Sequence, residues 1–170
     1  PADSTQLDLE FRNGIPEVQG SVEGLTGKFS LDTGANGQLA LFSPFVDSHK
    51  LREKYPNRIT AMAGSGVGGS TMGDVVKMNH VKLGDLELPP LVVNLAHAGS
   101  GVFSTSERIG NVSADILTRF KVTFDYPGKR LFLIKGPQFD KPSDWNRAGF
   151  FVSLATGKPA RRASSTGGSI

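Results

Sequence analysis

The residues able to do chemistry are few, and one of them sits where an ionised side chain is costly. Asp32 follows the strand-like Phe29-Ser30-Leu31 and opens the triplet Asp32-Thr33-Gly34, after which Gly37 to Phe42 is again mostly apolar. A carboxylate between apolar runs needs a partner or a task, because an unpaired charge resists transfer out of water. The triplet also has a plainer use. Asp forms turns and Gly accepts positive φ, so the three residues can simply end a strand.

Other chemistries find little support. His49, His80 and His97 lack metal-ligand spacing, and the absence of cysteine removes disulfides, thiolate nucleophiles and zinc-thiolate sites together. No serine stands in a G-x-S-x-G elbow. Gly64-x-Gly66-x-x-Gly69 matches the dinucleotide fingerprint, which places phosphate on the N-terminus of a following helix. The residues after it, TMGDVVKMNHVKL, are strand-like, which argues against nucleotide binding. Asn111-Val112-Ser113 matches a glycosylation sequon but lies where buried structure is expected.

Composition agrees with a β-rich chain. Its 170 residues suffice for one ordinary core, and 21 Gly and 10 Pro punctuate short β-rich runs. The formal charge of +3 resides in Thr156 to Ile170, where Lys158, Arg161 and Arg162 stand without an acid. The body is therefore balanced, with no basic stripe of the kind that binds nucleic acid. No apolar stretch approaches the length of a membrane span.

Elements that could position Asp32 follow from periodicity. Leu7, Leu9 and Phe11 alternate with polar residues as one strand, and Arg12-Asn13-Gly14 supplies a turn. Val18 to Glu23 and Lys28 to Leu31 read as strands joined through residues 24–27. Ser43-Pro44 predicts the start of a short helix, Phe45 to Lys54, with Ser43 as its cap. Ile59 to Ala96 reads as two long hairpins, the first with a glycine-rich tip, and His97 to Arg108 as a loop. Ser113 to Phe120 predicts a helix capped by Ser113, with Ile116, Leu117 and Phe120 on one face. Lys121 to Ile134 is a hairpin whose Pro127-Gly128 pair suits the centre of a type II turn. Phe150 to Leu154 is one further candidate strand, and Lys158 onward has a disordered composition.

LDTGA together with the later GNVSADILTRFKVTFDYPGKRLFLI resembles the retropepsin-like aspartic proteases, over Val18 to Ile134. More narrowly, the chain is similar to bacterial aspartyl-protease domains that occur in tandem and ahead of a PDZ domain. The resemblance implies an all-β fold, a closed acid-protease barrel with one or two short helices. It implies an endopeptidase in which two aspartates share a proton and polarise a water; aspartic proteases are the standard example of such a carboxylate dyad. Only one Asp-Thr-Gly is present. The second carboxylate must then come from another copy, as a homodimer or a tandem domain. By the same route Asp32 is the catalytic residue, Thr33 stiffens the pair across the two-fold axis, Gly34 admits a close backbone and Ala35 is the usual small neighbour. The segment Gly64, Ser65, Gly66, Val67, Gly68 and Gly69 becomes a mobile flap over an extended peptide or protein substrate. Asp115 is expected to be structural. Neither metal nor cofactor is expected.

One departure stands out: Ser113 occupies a position that is usually glycine in the resembling family. A second reading is a non-catalytic barrel acting as a protein-binding or dimerisation module. Residues 1–137 are expected to form the protease domain and 138–170 an extension similar to the junction before a PDZ domain, which would make the chain part of something longer. Export to the periplasm is implied by the resemblance alone.

Overall fold

A computed structural model of the chain describes residues 3–66, 69–97 and 102–143. The first strands are β1 (Thr5–Asp8), β2 (Glu10–Arg12), β3 (Ile15–Val22), β4 (Leu25–Asp32) and β5 (Leu39–Leu41). Two short helices follow, α1 (Ser43–Ser48) and α2 (Leu51–Lys54). Next come β6 (Ile59–Gly66), β7 (Gly69–Met78), β8 (Val81–Leu83), β9 (Leu86–Leu88) and β10 (Leu91–Ala96). The remainder is β11 (Gly110–Ser113), helix α3 (Ala114–Leu117), β12 (Phe120–Asp125) and β13 (Arg130–Lys135).

Turn chemistry explains the early hairpins. Asn13 and Gly14 have φ of 52° and 77°, and Glu23 and Gly24 have 49° and 80°. Two consecutive positive φ values give the turn whose twist matches the flanking strands, and these pairs join β2 to β3 and β3 to β4. The second turn is therefore tighter than the four residues expected. The single strand expected through Leu7, Leu9 and Phe11 is split, because β1 pairs with β13 while β2 pairs with β3.

Ten strands form the larger sheet, in the order β6-β7-β10-β5-β11-β4-β3-β8-β9, with β2 also on β3; β1, β13 and β12 form a separate three-stranded sheet. The class is all-β, as expected, but the sheets are not closed into a barrel. Closure requires the end strands to pair. Here β6 pairs with β7, and β9, three residues long, pairs with β8. One apolar cluster forms the core, with Phe29, Leu41, Leu51, Met78, Leu91, Leu95, Ile116 and Leu131 fully buried.

The helices depart from expectation for local reasons. The run expected as one helix breaks at Lys50, whose φ of 51° is left-handed. Ser43 does not cap it: Phe42 holds that position, and the buried Ser43 hydroxyl donates to the Phe103 carbonyl at 3.2 Å. In the last hairpin the left-handed residue is Lys129, not Gly128, so the turn is not type II. The Asp125 carboxylate organises it, accepting from Gly128 N at 2.9 Å and from Arg130, and these bonds hold that carboxyl below its ordinary range. Past β13 the chain packs back on the body. Phe139 is buried against Phe120 at a 5.3 Å centroid distance, and Arg119 donates to the carbonyls of Phe139 and Lys141 and to Ser143 Oγ.

Gly110 starts β11 between β4 and β5, where an added Cβ would overlap the Ala40 carbonyl oxygen. A backbone atom in the centre of a sheet cannot swing aside as a side-chain tip does. Gly110→Ala is expected to destabilise the protein by about 2 kcal/mol, read as a lower midpoint in urea unfolding.

Candidate active site

Burial along β4 ends abruptly. Phe29, Ser30 and Leu31 are buried and Asp32, the last residue of the strand, is exposed. The desolvation anticipated from the flanking apolar runs therefore does not arise within one chain. Instead Asp32 Oδ1 turns back on its own loop and accepts from Gly34 N at 2.9 Å and Ala35 N at 3.1 Å. Such an Asp-headed turn fixes the carboxylate by local geometry and leaves its outer side to solvent.

The loop is held from outside by the second half of the motif set, β11 and α3. β11 lies parallel to β4 with Ser113 in register with Asp32. Ser113 N donates to Gln38 O at 2.9 Å, Ala114 N to Ala35 O at 3.1 Å and Asp115 N to Gly37 O at 3.3 Å. A helix leaves its first amides without intrahelical acceptors. Here the Asp32 loop supplies them, so Ser113 holds the cap position yet makes no side-chain cap, contrary to expectation. Its buried hydroxyl accepts from Asn111 Nδ2 at 3.4 Å, and Asn111 Oδ1 accepts from Ser30 Oγ at 2.8 Å. That engagement leaves the sequon asparagine inside the sheet.

Thr33 and Gly34 are exposed and Ala35 is half-buried. The Thr33 hydroxyl has no partner among the described residues. A Cβ on Gly34 would meet only Asp32 Oδ1, at 3.4 Å, an ordinary contact. Gly37 is the glycine of this loop that its backbone requires, with φ of 92°. Asp115 is exposed on α3 and borders a cavity of about 420 Å³ with Gln38, Thr118, Arg119, Gln138 and Lys141; Asp32 does not line it.

β6 and β7 form the glycine-rich hairpin expected between the two motif segments. Gly64 pairs with Thr71, Ser65 with Ser70 and Gly66 with Gly69, beyond a register shift between Met62 and Gly64. Val67 and Gly68, and the strand expected at Phe150 to Leu154, lie outside the described residues.

A family model described as Aspartyl protease matches residues 18–113, more than half of the chain and inclusive of Asp32, the hairpin and β11. The chain belongs to the aspartyl protease family. Its fold is retropepsin-like: a solved structure of a retropepsin-like aspartic protease from Rickettsia conorii is similar with a TM-score of 0.54. The two share 20% sequence identity, over 76% of this chain and 89% of that one. No curated protein matched the chain. Family and fold together support a protease function in general terms.

The chain carries a second acid that no motif in the sequence singles out. Asp74, on β7, is 2% exposed. It accepts from Thr60 Oγ1 at 2.6 Å and faces Arg52 Nε at 3.2 Å, Arg58 Nε at 3.3 Å and His97 Nε2 at 3.0 Å. Burial pushes its carboxyl upward, but the Thr60 and His97 hydrogen bonds and the charges of His97 and Arg58 outweigh it, so the group is held below its ordinary range. Part of the signal lies in the sequence, since Asp74 precedes an apolar pair just as Asp32 closes an apolar run. Its cations come from distant positions with no shared pattern.

A carboxyl held low in the folded state contributes stability above its unfolded pKa, and that contribution is lost as pH falls through the folded value. Unfolding stability is expected to decline as pH drops below about 4. In Asp74→Asn the stability is expected to be about 3 kcal/mol lower at pH 7, with the gap to wild type narrowing in acid, measured by urea titration at a series of pH values.

Proposed function

We propose that the protein is an aspartic endopeptidase whose Asp32 works with the Asp32 of a second copy of the domain. Two carboxylates at contact cannot both stay ionised, so they hold one proton between them. The ionised partner takes a proton from a water placed between the pair, while the other donates to the oxygen of the scissile carbonyl. The single observation that carries this reading is the exposure of Asp32 on a loop tied down by hydrogen bonds. Its inner oxygen is occupied by the Gly34 and Ala35 amides, and its open side can receive a counterpart.

Neighbouring residues fit the same arrangement. The Thr33 hydroxyl, free of partners among the described residues, is assigned to a hydrogen bond across the two-fold axis. Gly34 is bare although its own chain leaves room for a methyl, so its missing Cβ serves the approach of the second copy. Ala35 keeps the loop small at the same place. The hairpin bearing Gly64, Ser65, Gly66 and Gly69, with Val67 and Gly68 between its strands in sequence, is assigned to cover an extended peptide. Asp115 acts structurally, its amide docked on the Asp32 loop.

Asp32→Asn keeps the loop's shape but removes the acid. Peptide cleavage measured from acidic to near-neutral pH is expected to fall by at least about 1000-fold. Undiminished turnover would sink the assignment. Sedimentation with and without a statine-type inhibitor is expected to show inhibitor-driven pairing. A protein that stays monomeric and inactive at high concentration would instead favour the non-catalytic module.

A further inference from the structure

The buried acid Asp74 stands at a mechanical boundary. β10 pairs with β7 from Met78 to Gly73, and its last link is His97 N donating to Met72 O at 3.0 Å. Beyond that point the hairpin is two strands wide among the described residues, with Gly69 to Thr71 paired to β6 alone. The register shift between Met62 and Gly64 falls just inside this free arm. From Gly73 to Gly69 the arm projects roughly 13 Å at strand rise, so a tilt of about 10° at its root moves its end by about 2 Å.

The root is gripped from every side. Thr60 reaches Asp74 from the paired strand β6, Arg52 from α2, Arg58 from the segment after α2, and His97 from the end of β10. Arg52 also binds Asp47 of α1 and the Ala96 carbonyl, so one guanidinium joins a helix pair, β10 and the hairpin. Arg58 Nη1 donates to Arg52 O at 3.2 Å, which fixes the second guanidinium to the backbone that carries the first. An acid this deeply buried holds its position closely, because each lost donor would leave charge without compensation.

We propose that Asp74, with Thr60, Arg52, Arg58 and His97, is the positioning anchor that sets the pitch of the β6–β7 arm and thereby the affinity for extended substrate. This rests on the reading of the hairpin as a cover over Asp32. The anchor touches no reacting group; it acts through the arm.

Amide hydrogen exchange and peptide-cleavage kinetics on wild type, Asp74→Asn and Thr60→Val test it. The Thr60 variant removes one hydrogen bond and keeps the charges, so it stays informative if Asp74→Asn folds poorly. Amides of residues 59–66 and 69–72 are expected to exchange at least about tenfold faster than wild type, beyond any factor seen in β3 and β4. KM is expected to rise at least about fivefold with kcat changed less than about twofold. Exchange that is unchanged, or that rises equally throughout the sheet, would overturn the anchor. So would a fall in kcat at constant KM. An inactive wild-type protein would count against the peptidase reading instead, while the exchange data still decide the hinge.

Discussion

The backbone carbonyls of the Asp32 loop accept the opening amides of α3 and the last amide of β11, and most of the molecule's organisation depends on that interlock. Without acceptors at Ala35, Gly37 and Gln38, the start of a helix only four residues long would lack partners. Without those donors the loop would carry unpaired carbonyls beside the sheet. Each half therefore completes the other. The parallel pairing of β11 with β4 brings the halves together, and β5 closes the third side by pairing with β11.

Two aspartates in this chain occupy opposite environments. Asp32 lies at the end of a strand, takes two amides from its own loop and faces solvent. Asp74 is buried, surrounded by a hydroxyl, two guanidiniums and an imidazole. Its charge holds elements together, whereas the second oxygen of Asp32 has no partner among the described residues. Within one copy Asp32 is solvated. A carboxylate meets the low-dielectric surroundings that alter its chemistry only when something covers it.

Much of the fold was legible because turns and alternation are local. Asn13-Gly14 and the Pro-initiated helix start near Ser43 reflect the conformational limits of single residues, and they fall where the residue types imply. The departures have non-local causes. Leu7, Leu9 and Phe11 alternate as one strand, yet their partners belong to different sheets. Lys50 enters the left-handed region with no glycine to announce it. Ser113 has the residue type of a cap, but the amides at the start of α3 are met by backbone carbonyls of the Asp32 loop, far earlier in the chain, through a closure that no local pattern encodes.

The sequence by itself determined the strand-rich class, the turn positions and the identity of Asp32 as the residue to explain, since these depend on side-chain type, short-range spacing and a motif of adjacent residues. Tertiary structure decided that Asp32 is exposed, that the sheets stay open, and that Asp74 is buried among cations drawn from separate parts of the chain and Thr60 of its paired strand. Those outcomes arise from which surfaces meet. Burial and charge compensation are properties of neighbours in space, and residues as far apart as Arg52, Asp74 and His97 acquire them only when the chain has folded.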